Sequence, residues 1–134
     1  AEDCLDVRSM KPLEENVRNH TKLRAFELAD ELVIMIYQTT NDFPKEEVYG
    51  LTSQMRRAAV SVPSNIVEGC ARESQAEYFR FLEIAFSSLR DLHSPFSVAT
   101  RLGYIDESDV SECDLKIVET EKVLNALLRS LRNA

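Results

Sequence analysis

The chain has 134 residues with a formal charge of −7, 44% apolar and 29% charged side chains, three glycines, four prolines and no tryptophan. That length suits one domain around a single core, and so few turn-forming residues favour long helices over a many-turned β-fold. Dedicated duplex-binding domains carry a basic excess because phosphate neutralisation supplies most of their affinity, and this acidic chain lacks one.

Residues 1–21 mix charges with Pro12, Asn16 and Asn19 and hold no sustained apolar period, so they read as a flexible leader to a domain spanning 22–134. From Lys22, apolar Leu23, Phe26, Ala29, Val33 and Ile36 recur at spacings of three and four. Leu28, Leu32 and Met35 widen that stripe, which predicts an amphipathic helix over about 22–39. Pro44 suits the first turn of a second helix, where its missing N–H costs nothing, and Glu46 and Glu47 suit the positive end of its dipole. This helix is expected over about 44–67, with Val48, Leu51, Met55, Ala59, Val62 and Ile66 inward. Pro63 predicts a kink in it, and Gly69 a terminator.

Ser74 and Glu77 form a capping box that opens a third helix. Tyr78, Leu82, Ala85, Leu89, Leu92, Phe96 and Ala99 keep the helical period until Leu102 and Gly103 supply the stop, with Pro95 inside the run. Asp106 or Ser108 caps a fourth helix to about 132, directing Val110, Cys113, Ile117, Leu124, Leu127, Leu128 and Leu131 inward. Short connections between helices of this length predict an all-α, antiparallel, up-down-up-down four-helix bundle.

The second helix carries a polar stripe of Gln54, Arg57, Ser61, Asn65 and Glu68 opposite its apolar face, continued by Glu47, Gly50 and Arg72. Most such stripes are solvated faces, but those are usually filled with Lys and Glu. Small Gly50 and Ser61 and the amide of Asn65 instead suit the close approach of another backbone. The stripe therefore points to a subunit interface or a pore lining. Arg56, Arg57, Arg72 and Arg80 are the candidate nucleic-acid contacts, since arginine forks fit phosphate, although Glu68, Glu73, Glu77 and Glu83 lie among them as ion-pair partners. Phe79 and Phe86, seven residues apart, are either an association stripe or the margin of the core.

Signals for catalysis, metals and cofactors are absent from the sequence. The residues three before His20 and His93 are Val17 and Arg90, not the glutamates of a two-metal bundle site. Asp91 and Ser94 stand too close in sequence to His93 to face it on a helix, and no glycine-rich phosphate loop exists. Cys4, Cys70 and Cys113 are odd in number and far apart, which predicts free thiols in a reducing, cytoplasmic setting. The acidic start does not resemble a signal peptide, and no apolar run approaches the ~20 residues that span a bilayer.

Residues 43–51, 54–59 and 61–69, with Ser74, Glu77, Phe79, Arg80, Phe81, Leu82, Ala85, Leu102 and Gly103, resemble the proteins encoded in intervening sequences of bacterial 23S rRNA genes. The resemblance extends over about residues 22–132. It implies a four-helix subunit that assembles into a five-membered ring, and a kinship with the accessory protein of diversity-generating retroelements, which associates with a reverse transcriptase and nucleic acid. Those accessory rings are strongly basic, whereas this chain is acidic. The expectation is thus a non-enzymatic homo-oligomeric scaffold, most simply a pentamer built through the second and third helices, with Arg57, Asn65 and Glu68 ordering the contact. The alternative is a nucleic-acid accessory module in which arginines of several subunits form a basic rim that binds RNA or DNA by avidity.

Overall fold

The structure, a computed structural model, describes residues 18–133. Among them are four α-helices and no strand: α1 (Arg24–Thr40), α2 (Leu51–Cys70), α3 (Gln75–Arg101) and α4 (Glu107–Arg132), with short 3-10 turns at His20–Lys22 and Lys45–Glu47. Residues 1–17 of the expected leader lie outside the described residues. Its last part is engaged: the Arg18 guanidinium donates to the Arg72 carbonyl at 2.6 Å and stacks 4.0 Å over the Tyr78 ring.

Each helix packs on two others in a closed square, α1 on α2, α2 on α3, α3 on α4 and α4 on α1, and the backbones of the diagonal pairs stay more than 8 Å apart. Ser61 meets Ser88 across α2 and α3, while Gly69, further along α2, meets Tyr78 and Phe81, nearer the start of α3. Those two helices therefore run antiparallel. The same descending order links Arg24 to Glu119, Glu31 to Lys116 and Thr39 to Cys113, so α1 and α4 are antiparallel as well.

The core follows the helical periods. Tyr78, Leu82, Ala85, Leu89, Leu92, Phe96 and Ala99 of α3 are all buried, as are Cys113, Ile117, Leu124 and Leu128 of α4. On α1 the buried line is Ala25, Leu28, Ala29, Leu32 and Ile36, which moves Phe26 and Val33 to its margin. Phe79 and Phe86 also lie at the margin, packed against the core with Arg132 and Arg90 over their rings. Burying each large apolar side chain favours folding by about 1.5–3 kcal/mol relative to leaving it exposed.

Two local features differ from the sequence expectation. The second α-helix begins at Leu51, not at Pro44, because the chain first makes the 3-10 turn at Lys45–Glu47. Glu47 Oε1 then accepts from the Leu51 amide at 3.1 Å, capping a helix whose N-cap glycine has no side chain to offer. Val48, expected inward, is left in the connection at 50% exposure. Gly69 is likewise not the terminator. It sits buried in the last turn of α2, where a Cβ would lie 3.0 Å from Phe81 Cβ, so its role is close packing against α3.

Asp106 stands at the N-cap of α4 but makes no side-chain capping bond, whereas both ends of α3 match their signals. Ser74 Oγ accepts from the Glu77 amide at 3.0 Å at the start of α3. At the end of α3, Gly103 adopts a positive φ of 78°, and the amides of Gly103 and Tyr104 reach back to the carbonyls of Thr100 and Ala99. This is a Schellman stop, which a glycine enters without the Cβ penalty.

Candidate interaction surface

The five polar residues of α2 divide into a ridge and a seam. Gln54, Arg57 and Glu68 are exposed, whereas Ser61 and Asn65 are half-buried, Ser61 against Ser88 of α3. Ser61 Oγ lies 2.7 Å from Ser88 Oγ, and Asn65 Nδ2 donates to the Ser61 carbonyl at 2.8 Å and to its hydroxyl at 3.0 Å. These two residues thus spend much of their polar capacity within the subunit. Glu68 pairs with Arg72 one turn on, at 2.7 Å, with both side chains substantially exposed. Arg57 makes no hydrogen bond or ion pair among the described residues, and it stands on the crest of the ridge.

An open groove runs along each side of that crest. One, between α2 and α3, is lined by Gln54, Arg57, Ala58, Ser88, Asp91 and Ser94 among others. The second, between α1 and α2, is lined by Tyr37, Ser53, Arg56, Arg57, Val60 and Ser61. Arg57 and Ser61 border both grooves. A ridge with grooves on both flanks is the shape that interlocks with another helical surface.

The four candidate phosphate-binding arginines do not form one patch within the subunit. Arg56 is committed to α1: its Nε donates to Thr40 Oγ1 at 2.8 Å, and its guanidinium stacks 4.5 Å over the Tyr37 ring. Arg56 and Arg57 lie about four helical turns, roughly 20 Å, from the α2–α3 connection. Near that connection Arg72 stacks 4.7 Å over Phe81, and exposed Arg80 stands on the first turns of α3. Arg18 and Arg132, over Tyr78 and Phe79, add positive charge to that same end.

Sequence reasoning missed the contacts that depend on register between helices. His93 Nε2 lies 2.7 Å from Glu121 Oε2, joining α3 to α4 in a shallow groove that also holds Arg90, Ser94 and Ser97. Exposed apolar Ile34, Tyr37, Val60 and Leu115 were also not singled out. Leu115, within the otherwise polar outer face of α4, was the one with a visible signal, since it falls opposite Ile117 and Cys113 on the helical wheel.

The chemistry of the interior is that of packing. Burial pushes the Cys113 thiol up, against a lowering contribution from its 3.5 Å contact with Thr39 Oγ1, and Cys70 is buried beside Tyr78. Burial also pushes the Tyr78 phenol up to about 12, reinforced by Cys70. Among the described residues no group of three or more His, Cys, Asp or Glu is placed to hold a metal ion. No described helix is long and apolar enough to cross a membrane.

The fold has a counterpart in a crystal structure at 1.70 Å resolution of a protein of unknown function from the S23 ribosomal protein family of Bacteroides thetaiotaomicron. The two superpose with a TM-score of 0.69 over 78% of this chain and 97% of that one, at 19% sequence identity, a likeness of fold. No curated protein sequence matches this chain. The profile of the 23S rRNA-intervening sequence protein family matches residues 21–126, a span that takes in α1, α2, α3 and most of α4. The chain belongs to that family.

Proposed function

We propose that this protein acts by assembly and not by catalysis, as a homo-oligomeric scaffold whose subunits, five in the simplest reading, join through the ridge of α2 and its flanking grooves. The observation that carries the proposal is Arg57, an exposed and unpaired guanidinium between two open grooves on a helix whose other exposed charge, Glu68, is paired. Half-buried Ser61 and Asn65 keep the crest narrow, so that a neighbouring backbone approaches closely.

Arg57→Glu tests this reading. The side chain is exposed, so the variant is expected to keep its helix content and a cooperative melt while losing mass by light scattering, with a subunit affinity at least tenfold weaker. An unchanged mass would remove the α2 ridge from the assembly.

A nucleic-acid accessory role is the second reading, supported by the gathering of Arg18, Arg72, Arg80 and Arg132 at one end, where Arg72 is paired with Glu68, and Glu73 and Glu77 lie nearby. Binding of RNA or DNA by that end would weaken steeply with added salt, through counterion release. Arg80→Glu would reduce both the affinity and that salt slope.

A further inference from the structure

We propose that the groove between α1 and α2 receives the outward face of α4 from a second copy of this chain, with Leu115 as the inserted side chain and Glu112 directed to Arg57. The proposal rests on the oligomeric reading above and names the two surfaces that would meet. On α1, Tyr37 lines the groove and is 42% exposed, and Ile34, 56% exposed and one turn before it, lies outside that lining. Across the groove, Val60 of α2 is 38% exposed. The register that brings them together is fixed by Arg56, which donates to the Tyr37 carbonyl and to Thr40. The result is an apolar strip with a positive rim formed by Arg56 and Arg57.

The α4 face is its complement. Leu115 is 70% exposed and points away from the line of Cys113 and Ile117. Glu112 and Glu119 flank it, one turn before and one turn after. Glu119 is held by Arg24 of α1 at 3.1 Å, but Glu112 has no ion-pair partner among the described residues. An apolar side chain flanked by carboxylates thus faces solvent, while a groove with Tyr37 and Val60 beside the guanidiniums of Arg56 and Arg57 stands on the same molecule.

The fold prevents one subunit from joining the two surfaces itself. Helices α2 and α4 occupy a diagonal of the square, their backbones more than 8 Å apart, so the groove beside α2 and the outer face of α4 point in different directions. Their complementarity is satisfied only between molecules. Because the two patches differ, the contact is heterologous, the type that propagates head to tail and closes into rings when its rotation permits. A second copy of the chain is the occupant with the complementary pattern: its Glu112 matches the arginine rim, and its Leu115 matches the strip.

A mixing experiment on the full chain tests the proposal. Leu115→Lys spoils the inserted face and leaves the groove; Val60→Glu spoils the groove and leaves the inserted face. Both positions are solvent-facing, and circular dichroism with thermal melting verifies that each variant folds. By light scattering, each variant alone is expected to fall to monomer mass, and an equimolar mixture to form a complex of two subunits, since one intact groove meets one intact α4 face. Arg57→Glu and Glu112→Arg, each disruptive alone, are expected to restore assembly when combined in one chain. If both single variants keep the mass of the unaltered oligomer, this contact is wrong although the oligomeric reading stands. Monomeric variants that do not combine on mixing also overturn it. An unaltered protein that stays monomeric at every concentration removes both readings.

Discussion

Gly69 sets how closely α2 and α3 approach. Its missing Cβ would sit 3.0 Å from Phe81 Cβ and 3.3 Å from both Tyr78 Cδ1 and the Tyr78 carbonyl oxygen, so an alanine must push α3 aside. Gly69→Ala is therefore expected to cost about 1–3 kcal/mol by overpacking, despite alanine's better helix propensity, as read from urea unfolding midpoints. Beside it, burial holds the Tyr78 phenol up to about 12 from an ordinary value of 10.0. A raised folded-state value means that this contribution to stability is full below about pH 10 and is lost as pH rises towards about 12. Stability should thus fall over that alkaline window, and Tyr78→Phe should flatten the fall; an unaltered slope would place the phenol in contact with water.

At the scale of the elements, α3 was legible from its period, and α1 as a helix whose buried line lies rotated from the expected stripe. The whole inward line expected for α3 is buried, and its Ser74 cap and Gly103 stop are in place. Periodicity was less informative where turn chemistry competes with helix propensity. Pro44 does open a helical turn, but a 3-10 one, and Glu47 reaches forward to start α2 seven residues later. The polar stripe was legible as a stripe, yet its division was not, because the angle of a residue on its own helix does not reveal how far a neighbouring helix leans over it. Ser61 is drawn into the α2–α3 seam and Asn65 is tied back to it, while Arg57 stays out. The Ser61–Ser88 pair, at 2.7 Å and partly buried, should be energetically coupled. A double-mutant cycle with Ser61→Ala and Ser88→Ala is expected to give about 0.5–1.5 kcal/mol of interaction free energy. Additive costs would mean that water replaces the contact.

At the scale of the whole molecule, the square of four helices buries its apolar lines and leaves several apolar side chains outside. Ile34, Tyr37, Val60 and Leu115 sit beside charges of opposite sign on different faces. The arginines that suggested phosphate binding from the sequence are split between two regions, and one of them, Arg56, is tied to α1. Spacing along the chain could not reveal that split, since it follows from where α2 ends and α3 begins. Assembly is thus the property on which the functional account depends. The most direct test is the mass of the purified chain by light scattering on size-exclusion fractions at low and high salt, with and without total cellular RNA. The account predicts a nucleic-acid-free oligomer of about five subunits whose ratio of absorbance at 260 and 280 nm is that of protein alone. A monomer at every concentration would contradict it, and a salt-sensitive complex carrying RNA would replace it with the accessory role.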